Sequence, residues 1–235
     1  MEISLASVIN PISKENEVWL GTLLKSKDDG KKIDKLIDLS IAIDISGSMA
    51  GNRIYMAKNS LIKLIEKLND EDNIAISKFN NESKPIFHYQ KVSELKKTNY
   101  AKEIEDLRSG GGTDILKAFK GAYELMSNEN IKNKNKIRRM IIITDMEDRV
   151  DNDLTKFSEK IASEGVYLTI LGISSNFRTD LAEITSNIKG ANYVVIKESK
   201  DIYKYLVEDF EYLCILIYVI KLNLLLIQMA TTEAI

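Results

Sequence analysis

From Leu36 onward the apolar positions of this chain follow two rhythms in turn. Short runs of nearly continuous aliphatic residues alternate with longer stretches in which apolar residues recur every three or four positions. The first rhythm is that of a strand covered on both faces, the second that of a helix with one buried side. Ile37–Ile43 is the first aliphatic run. Arg53–Leu68 then places Ile54, Ala57, Leu61, Ile65 and Leu68 on one helical face, and the polar run Asn69-Asp70-Glu71-Asp72 ends it. Ile74–Phe79 and Pro85–Val92 predict two more strands, the second shorter and antiparallel. Ser93–Leu107 is predicted mostly helical. Asp114–Ser127 forms a helix with Leu116, Phe119, Tyr123 and Met126 inward. Arg139–Thr144, rich in isoleucine, predicts a strand buried on both faces. Asp153–Glu164 predicts a helix with Leu154, Phe157 and Ile161 inward and Gly165 as its C-terminal cap. Val166–Ile173 is a strand, Thr179–Asn187 a short helix, Ala191–Ile196 a strand and Ser199–Leu213 a last amphipathic helix.

Strands alternating with helices imply right-handed crossovers and an α/β fold, doubly wound, with a mostly parallel sheet and helices on both faces. In such sheets ligands bind beyond the carboxyl ends of the strands. The two ends of the chain differ from this pattern. Residues 1–16 read as loose, Glu17–Leu24 as a strand, and Lys25–Lys35, with Asp28-Asp29-Gly30, as a linker. Leu213–Met229 is strongly apolar but carries Lys221, Asn223 and Gln228. It is shorter than the roughly 20 residues of a spanning helix. Lys221 and Asn223 alternate with Leu222 and Leu224, as in a half-buried strand; a membrane tail is the alternative. The expected division is an N-terminal extension with one flanking strand (1–35), a central domain (36–213) and an apolar C-terminal strand or tail (214–235), partial strands flanking the sheet from the two ends.

Composition narrows the chemistry mainly through what is scarce. The chain has one Cys (Cys214) and one His (His88), so no intrachain disulfide and no Cys/His zinc site can form within it. A Ser-His-Asp triad would need His88, which has no serine motif beside it. Formal net charge is -2, with Lys interleaved among Glu and Asp. No basic stripe argues for nucleic acid, and the cluster Lys132–Arg139 reads as a solvated helix–strand loop. The N-terminus lacks a basic and then apolar leader, so the expected location is cytoplasmic. Nothing in the sequence sets an oligomeric state.

The candidate chemistry lies at the ends of the strands. Asp44-Ile45-Ser46-Gly47-Ser48-Met49 closes the first aliphatic run. Read alone, Asp, Ser and Gly after a strand also make a turn and a helix cap. Two further segments bring oxygen donors to the same sheet edge: Gly110-Gly111-Gly112-Thr113-Asp114, and Asp145 after Ile141-Ile142-Ile143-Thr144. Carboxylates and hydroxyls are hard donors suited to Mg2+, with Mn2+ or Ca2+ as substitutes.

Over Leu36–Leu213 these three segments resemble the metal-ion-dependent adhesion site of von Willebrand factor A domains. Met49 and Gly51-Asn52-Arg53 resemble that family's continuation of the first segment. The resemblance implies that Ser46 and Ser48 bind the cation directly and that Thr113 binds directly or through water. It implies that Asp44 and Asp145 hold coordinated waters, and that one position stays open for an acidic side chain of a protein partner. Many members have Thr-Asp-Gly where this chain has Thr144-Asp145-Met146-Glu147-Asp148. Glu147 and Asp148 are either exposed acids or outer groups of the site. The glycine loop followed by Thr113-Asp114-Ile115 is similar to the branch of inter-alpha-trypsin inhibitor heavy chains, bacterial A-domain proteins and plant and protist A-domain RING ligases. No RING cysteines are present, so ligase activity is not carried over.

The expected function is a cation-dependent protein-binding module and not an enzyme. A structural A domain with an unused metal site is the second reading. A phosphatase of the haloacid dehalogenase class is the third, weakened because position 46 is Ser where that class has its acidic Asp. A Gly-x-Ser-x-Gly hydrolase would need Gly at 46, and the glycine loop has no Walker lysine.

Overall fold

The computed structural model describes residues 2–9, 16–23, 35–127, 136–145, 152–173, 185, 188, 190–211 and 213–214. The chain divides into two units, Met1–Lys32 and Ile33–Ile235. The first holds β1 (Glu2–Ile9) and β2 (Asn16–Leu23), an antiparallel pair in register from Glu2 opposite Leu23 to Ile9 opposite Asn16. The expectation of loose chain before residue 16, with one strand in the extension, is therefore corrected. Glu2–Ile9 has no clean alternation, and its ladder with β2 supplies what the local pattern does not.

The second unit is built on a six-stranded sheet in the order β5-β4-β3-β6-β7-β8. Its strands are β3 (Ile37–Asp44), β4 (Asn73–Phe79), β5 (Ser83–Lys91), β6 (Ile137–Thr144), β7 (Val166–Ile173) and β8 (Asn192–Ile196). All neighbours are parallel except β5, which runs antiparallel to β4 at the edge. The doubly wound α/β class predicted by the alternating rhythms is the one observed.

The two faces differ because the strand side chains differ. On one face Leu39, Ile41, Ile43, Ile141 and Ile143 pack with Ile54, Ala57, Leu61, Leu64 and Ile65 of α1 (Asn52–Lys67) and with Ile202, Leu206 and Phe210 of the helical segment that follows β8. On the other, Ala42, Met140 and Ile142 meet Ile115, Ala118, Phe119, Ala122 and Met126, which all belong to one long helix. Between them in sequence lie two short helices, α2 (Val92–Leu95) and α3 (Tyr100–Glu105), so the helix expected over Ser93–Leu107 is broken in two. The long helix on the second face is α4 (Ile115–Ser127), and α5 (Asn152–Ser163) packs beside it through Leu154 and Ile161. The small residues of β3 let α4 approach closely: the buried Ser40 hydroxyl donates to the Ala122 carbonyl at 2.7 Å. Gly165, with φ +79, ends α5 as its predicted cap.

The last helix is less regular than its amphipathic pattern predicts. Asp201–Tyr203 is a helical turn and Lys204–Glu208 is wound as π-helix. The helix expected over Thr179–Asn187 lies outside the described residues apart from Thr185, and Leu213–Met229 lies outside them beyond Cys214. Among the described residues no helix is long and apolar enough to cross a membrane.

Candidate functional site

After β3 the chain winds outward to β4 and β5, and after β6 it winds the other way to β7 and β8. β3 and β6 are neighbours, with Ile43 in register with Ile143. The crevice beyond their carboxyl ends is thus the topological switch point, where open α/β sheets take ligands. Asp44 is the last residue of β3, and Asp145 follows the last residue of β6.

Four of the five sequence-predicted residues are joined there in one chain of contacts. The Asp44 carboxylate accepts the Ser46 backbone N–H at 2.7 Å and the Thr144 hydroxyl at 2.5 Å. The Ser46 and Ser48 hydroxyl oxygens are 3.1 Å apart. The Ser48 hydroxyl donates to Asp145 Oδ1 at 2.9 Å. A hydroxyl has one hydrogen and two lone pairs, so a serine that donates to Asp145 still presents oxygen density elsewhere. Gly47–Met49 forms a single 3-10 turn, which holds Ser48 in a tight bend.

The fifth residue, Thr113, is half-buried and stands outside that chain of contacts. Its loop is nevertheless tied to the first segment: Gly110 N–H donates to the Ile45 carbonyl at 2.7 Å, and Gly47 N–H donates to the Gly111 carbonyl at 2.9 Å. Asn80 secures the same loop, donating from Nδ2 to the Gly110 carbonyl at 2.9 Å. Gly111 has φ +85, which favours glycine, and a Cβ there would sit 3.0 Å from Asn80 Nδ2, so the Asn80 amide would have to give way. Asp114 has a different task. It accepts the Lys117 N–H at 3.0 Å and caps α4.

Electrostatics set the character of the crevice. Asp44 is fully buried and Asp145 nearly so. Burial pushes the Asp44 carboxyl above its ordinary value, while hydrogen bonds from Thr144 and Ser46 pull it back, and the like charge of Asp145 adds to the rise. A buried carboxylate held by neutral donors and faced by a second carboxylate is a place where a cation is favourable. Among the described residues no group of three or more His, Cys, Asp or Glu side chains is arranged to hold a metal. The oxygens that converge here are instead two carboxylates and two hydroxyls, a set that suits a hard dication.

Two residues of the site are not evident from the pattern of oxygen donors. Thr144 is the buried donor to Asp44. Arg53, on the first turn of α1, donates from Nη1 to Asp145 Oδ2 at 2.6 Å and to the Ser48 carbonyl at 3.1 Å. The sequence marks Arg53 only as part of the continuation Gly51-Asn52-Arg53 of the first segment; its contact with Asp145 is seen in the structure. Glu147 and Asp148 lie outside the described residues. His88 is exposed on the edge strand β5.

The family model of the von Willebrand factor type A domain matches residues 38–208. The human voltage-dependent calcium channel subunit alpha-2/delta-2 is 26% identical over 125 residues, covering 52% of this chain and 11% of that protein. Mouse inter alpha-trypsin inhibitor heavy chain 4 is 32% identical over 92 residues, covering 37% of this chain and 9% of that protein. The chain thus matches only about a tenth of the length of these relatives. Among solved structures, a von Willebrand factor type A protein from Catenulispora acidiphila superposes with TM-score 0.65 at 16% identity, covering 77% of this chain and 43% of that one. The mussel byssus proximal thread matrix protein 1 with a zinc-occupied MIDAS motif gives TM-score 0.58 at 20% identity, covering 74% and 48%. The manganese-loaded TRAP protein of Plasmodium vivax gives 0.55 at 19%, covering 74% of each chain.

Proposed function

The chain belongs to the von Willebrand factor type A domain family, and on that premise we propose that it is a protein-binding module that engages an acidic side chain of its partner through a divalent cation, Mg2+ in the first instance. Domains of this family are in general interaction modules and not enzymes. The observation that carries the reading is the linked set Asp44, Ser46, Ser48 and Asp145 at the switch point between β3 and β6.

In this reading the Ser46 and Ser48 hydroxyls are the direct ligands. Asp44 and Asp145 supply negative charge and hold coordinated waters, and Thr113 adds a hydroxyl from the glycine loop. Thr144 favours the ionised form of Asp44 by donating to it, against the effect of burial, and Asn80 keeps the glycine loop against Ile45 and Gly47. The bound cation supplies a Lewis-acid position to which a carboxylate oxygen can bind. That the zinc-occupied byssus protein and the manganese-loaded TRAP protein share the fold supports a divalent ion here.

Calorimetric titration with Mg2+ and Mn2+ tests the site. The wild-type chain should bind either ion, and Asp44→Ala and Ser48→Ala should bind at least about tenfold more weakly. Equal binding by wild type and Asp44→Ala would sink the assignment. For the partner, capture from the native source should be lost with EDTA and restored by Mg2+; retention in EDTA would refute the cation-mediated mode.

A further inference from the structure

Arg53 is half spent. Its Nη1 makes both of its contacts, to Asp145 Oδ2 and to the Ser48 carbonyl. Nε and Nη2 make no hydrogen bond to any described residue, although a guanidinium has five N–H donors in a planar fork. The Arg53 side chain is 40% exposed, whereas the Asp145 side chain it contacts is 1% exposed. The guanidinium therefore stands where the buried carboxylates give way to solvent, with its unused donors available to a visitor.

The charge of the cluster points to what that visitor is. Asp44 and Asp145 against Arg53 leave one net negative charge among the described groups. A dication turns this into one net positive charge. An acidic ligand is thus repelled by the empty cluster and attracted by the loaded one, and a single carboxylate neutralises it.

We propose that Arg53 is a second anchor for the partner's carboxylate, which bridges the cation and the guanidinium with its two oxygens. The proposal rests on the cation-mediated reading given above and adds a residue and a ligand geometry to it. One carboxylate oxygen would take the cation's open position, and the other would accept from the Arg53 fork. Because the guanidinium and the cation repel each other, the bridging carboxylate relieves that repulsion. Cation and carboxylate then strengthen each other's binding reciprocally.

The test uses Mn2+ and a pentapeptide Gly-Gly-Asp-Gly-Gly with blocked ends, so that its one carboxylate is the only anion. Both are titrated calorimetrically into wild type and Arg53→Gln, each alone and each in the presence of the other. Glutamine keeps a donor for Asp145 but loses the charge and the fork. The expected result has opposite signs: Arg53→Gln binds Mn2+ alone more tightly, binds the peptide at least about tenfold more weakly when Mn2+ is present, and loses the mutual enhancement. Weaker binding of both probes would make Arg53 only a brace for Asp145 and overturn the proposal while leaving the cation site standing. Absence of Mn2+ binding in wild type would sink the cation reading itself. A second measurement needs no substitution. Phenylglyoxal modification of Arg53, read by mass spectrometry, should be blocked by peptide with Mn2+ and not by Mn2+ alone; equal modification in both would also overturn the proposal.

Discussion

Arg139 offers the sharpest test of how this core is held. It lies on β6 between Leu39 of β3 and Tyr167 of β7, and its side chain is entirely buried. Nη1 donates to the Thr169 hydroxyl, and the Asn192 amide, with its oxygen turned toward the guanidinium, accepts from Nη1 at 3.1 Å. Nε and Nη2 have no partner, and no carboxylate neutralises the charge among the described residues. Burial accordingly pulls the guanidinium well below its ordinary value, to about 10, against a smaller opposite influence of Cys214 and Tyr167. At about 1.4 kcal/mol per pH unit, that drop costs folding about 3 kcal/mol at neutral pH. Arg139→Met keeps an unbranched side chain and removes the charge. It also leaves Thr169 and Asn192 without their donor, a loss of about 1–2 kcal/mol. The net expectation is a gain of about 1–2 kcal/mol, or a Tm higher by about 2–8 °C for a chain of this size. Arg139→Met/Thr169→Val, which removes the stranded hydroxyl, should gain more. Urea unfolding in EDTA, followed by far-UV circular dichroism, measures both. Had the guanidinium a buried counter-charge, its removal would instead cost about 3–5 kcal/mol. A destabilised single variant with no recovery in the double variant would refute the reasoning.

Two further outcomes follow from local geometry. Gly121→Ala should gain about 1 kcal/mol of helix propensity. Its Cβ, however, would fall 2.1 Å from Ser83 Oγ and 2.7 Å from Ser83 Cβ. Overpacking at about 1–3 kcal/mol outweighs the gain. The single variant should therefore melt lower, and Gly121→Ala/Ser83→Gly should recover; a single variant that melts higher would contradict the contact. Asp72 accepts the Ile37 and Asn69 backbone N–H groups at 2.8 and 3.0 Å, and burial raises its carboxyl above 3.8. The unfolded chain then loses this proton first as pH rises, so the folded state holds more protons in the window above 3.8 and stability falls across it. Asp72→Asn removes that contribution. Its stability relative to wild type should rise with pH through this window in urea titrations, and a difference that stays flat would show that the carboxyl is not desolvated.

What the sequence determined by itself was the order and kind of the central elements. Their periodicities are local: the aliphatic runs of β3, β6 and β7 and the single apolar faces of α1, α4 and α5 are written within a few residues of one another. The candidate residues Asp44, Ser46, Ser48, Thr113 and Asp145 could be singled out because each stands at a strand end or in an adjoining loop, and because the three segments together resemble a known family's site. Tertiary structure decided what these residues do to one another. Ser48 and Asp145 meet across 97 residues of chain, and Arg53 and Asp145 across 92. No local rhythm carries information over such separations. The same limit explains the N-terminal strand β1, which exists through its ladder with β2, and the break between α2 and α3. It explains Arg139 as well: its charge reads as part of a solvated basic cluster in sequence, yet the parallel register with β3 and β7 draws it into the core. Pairing across strands, and not the residue's own preference for water, settled where that charge lies.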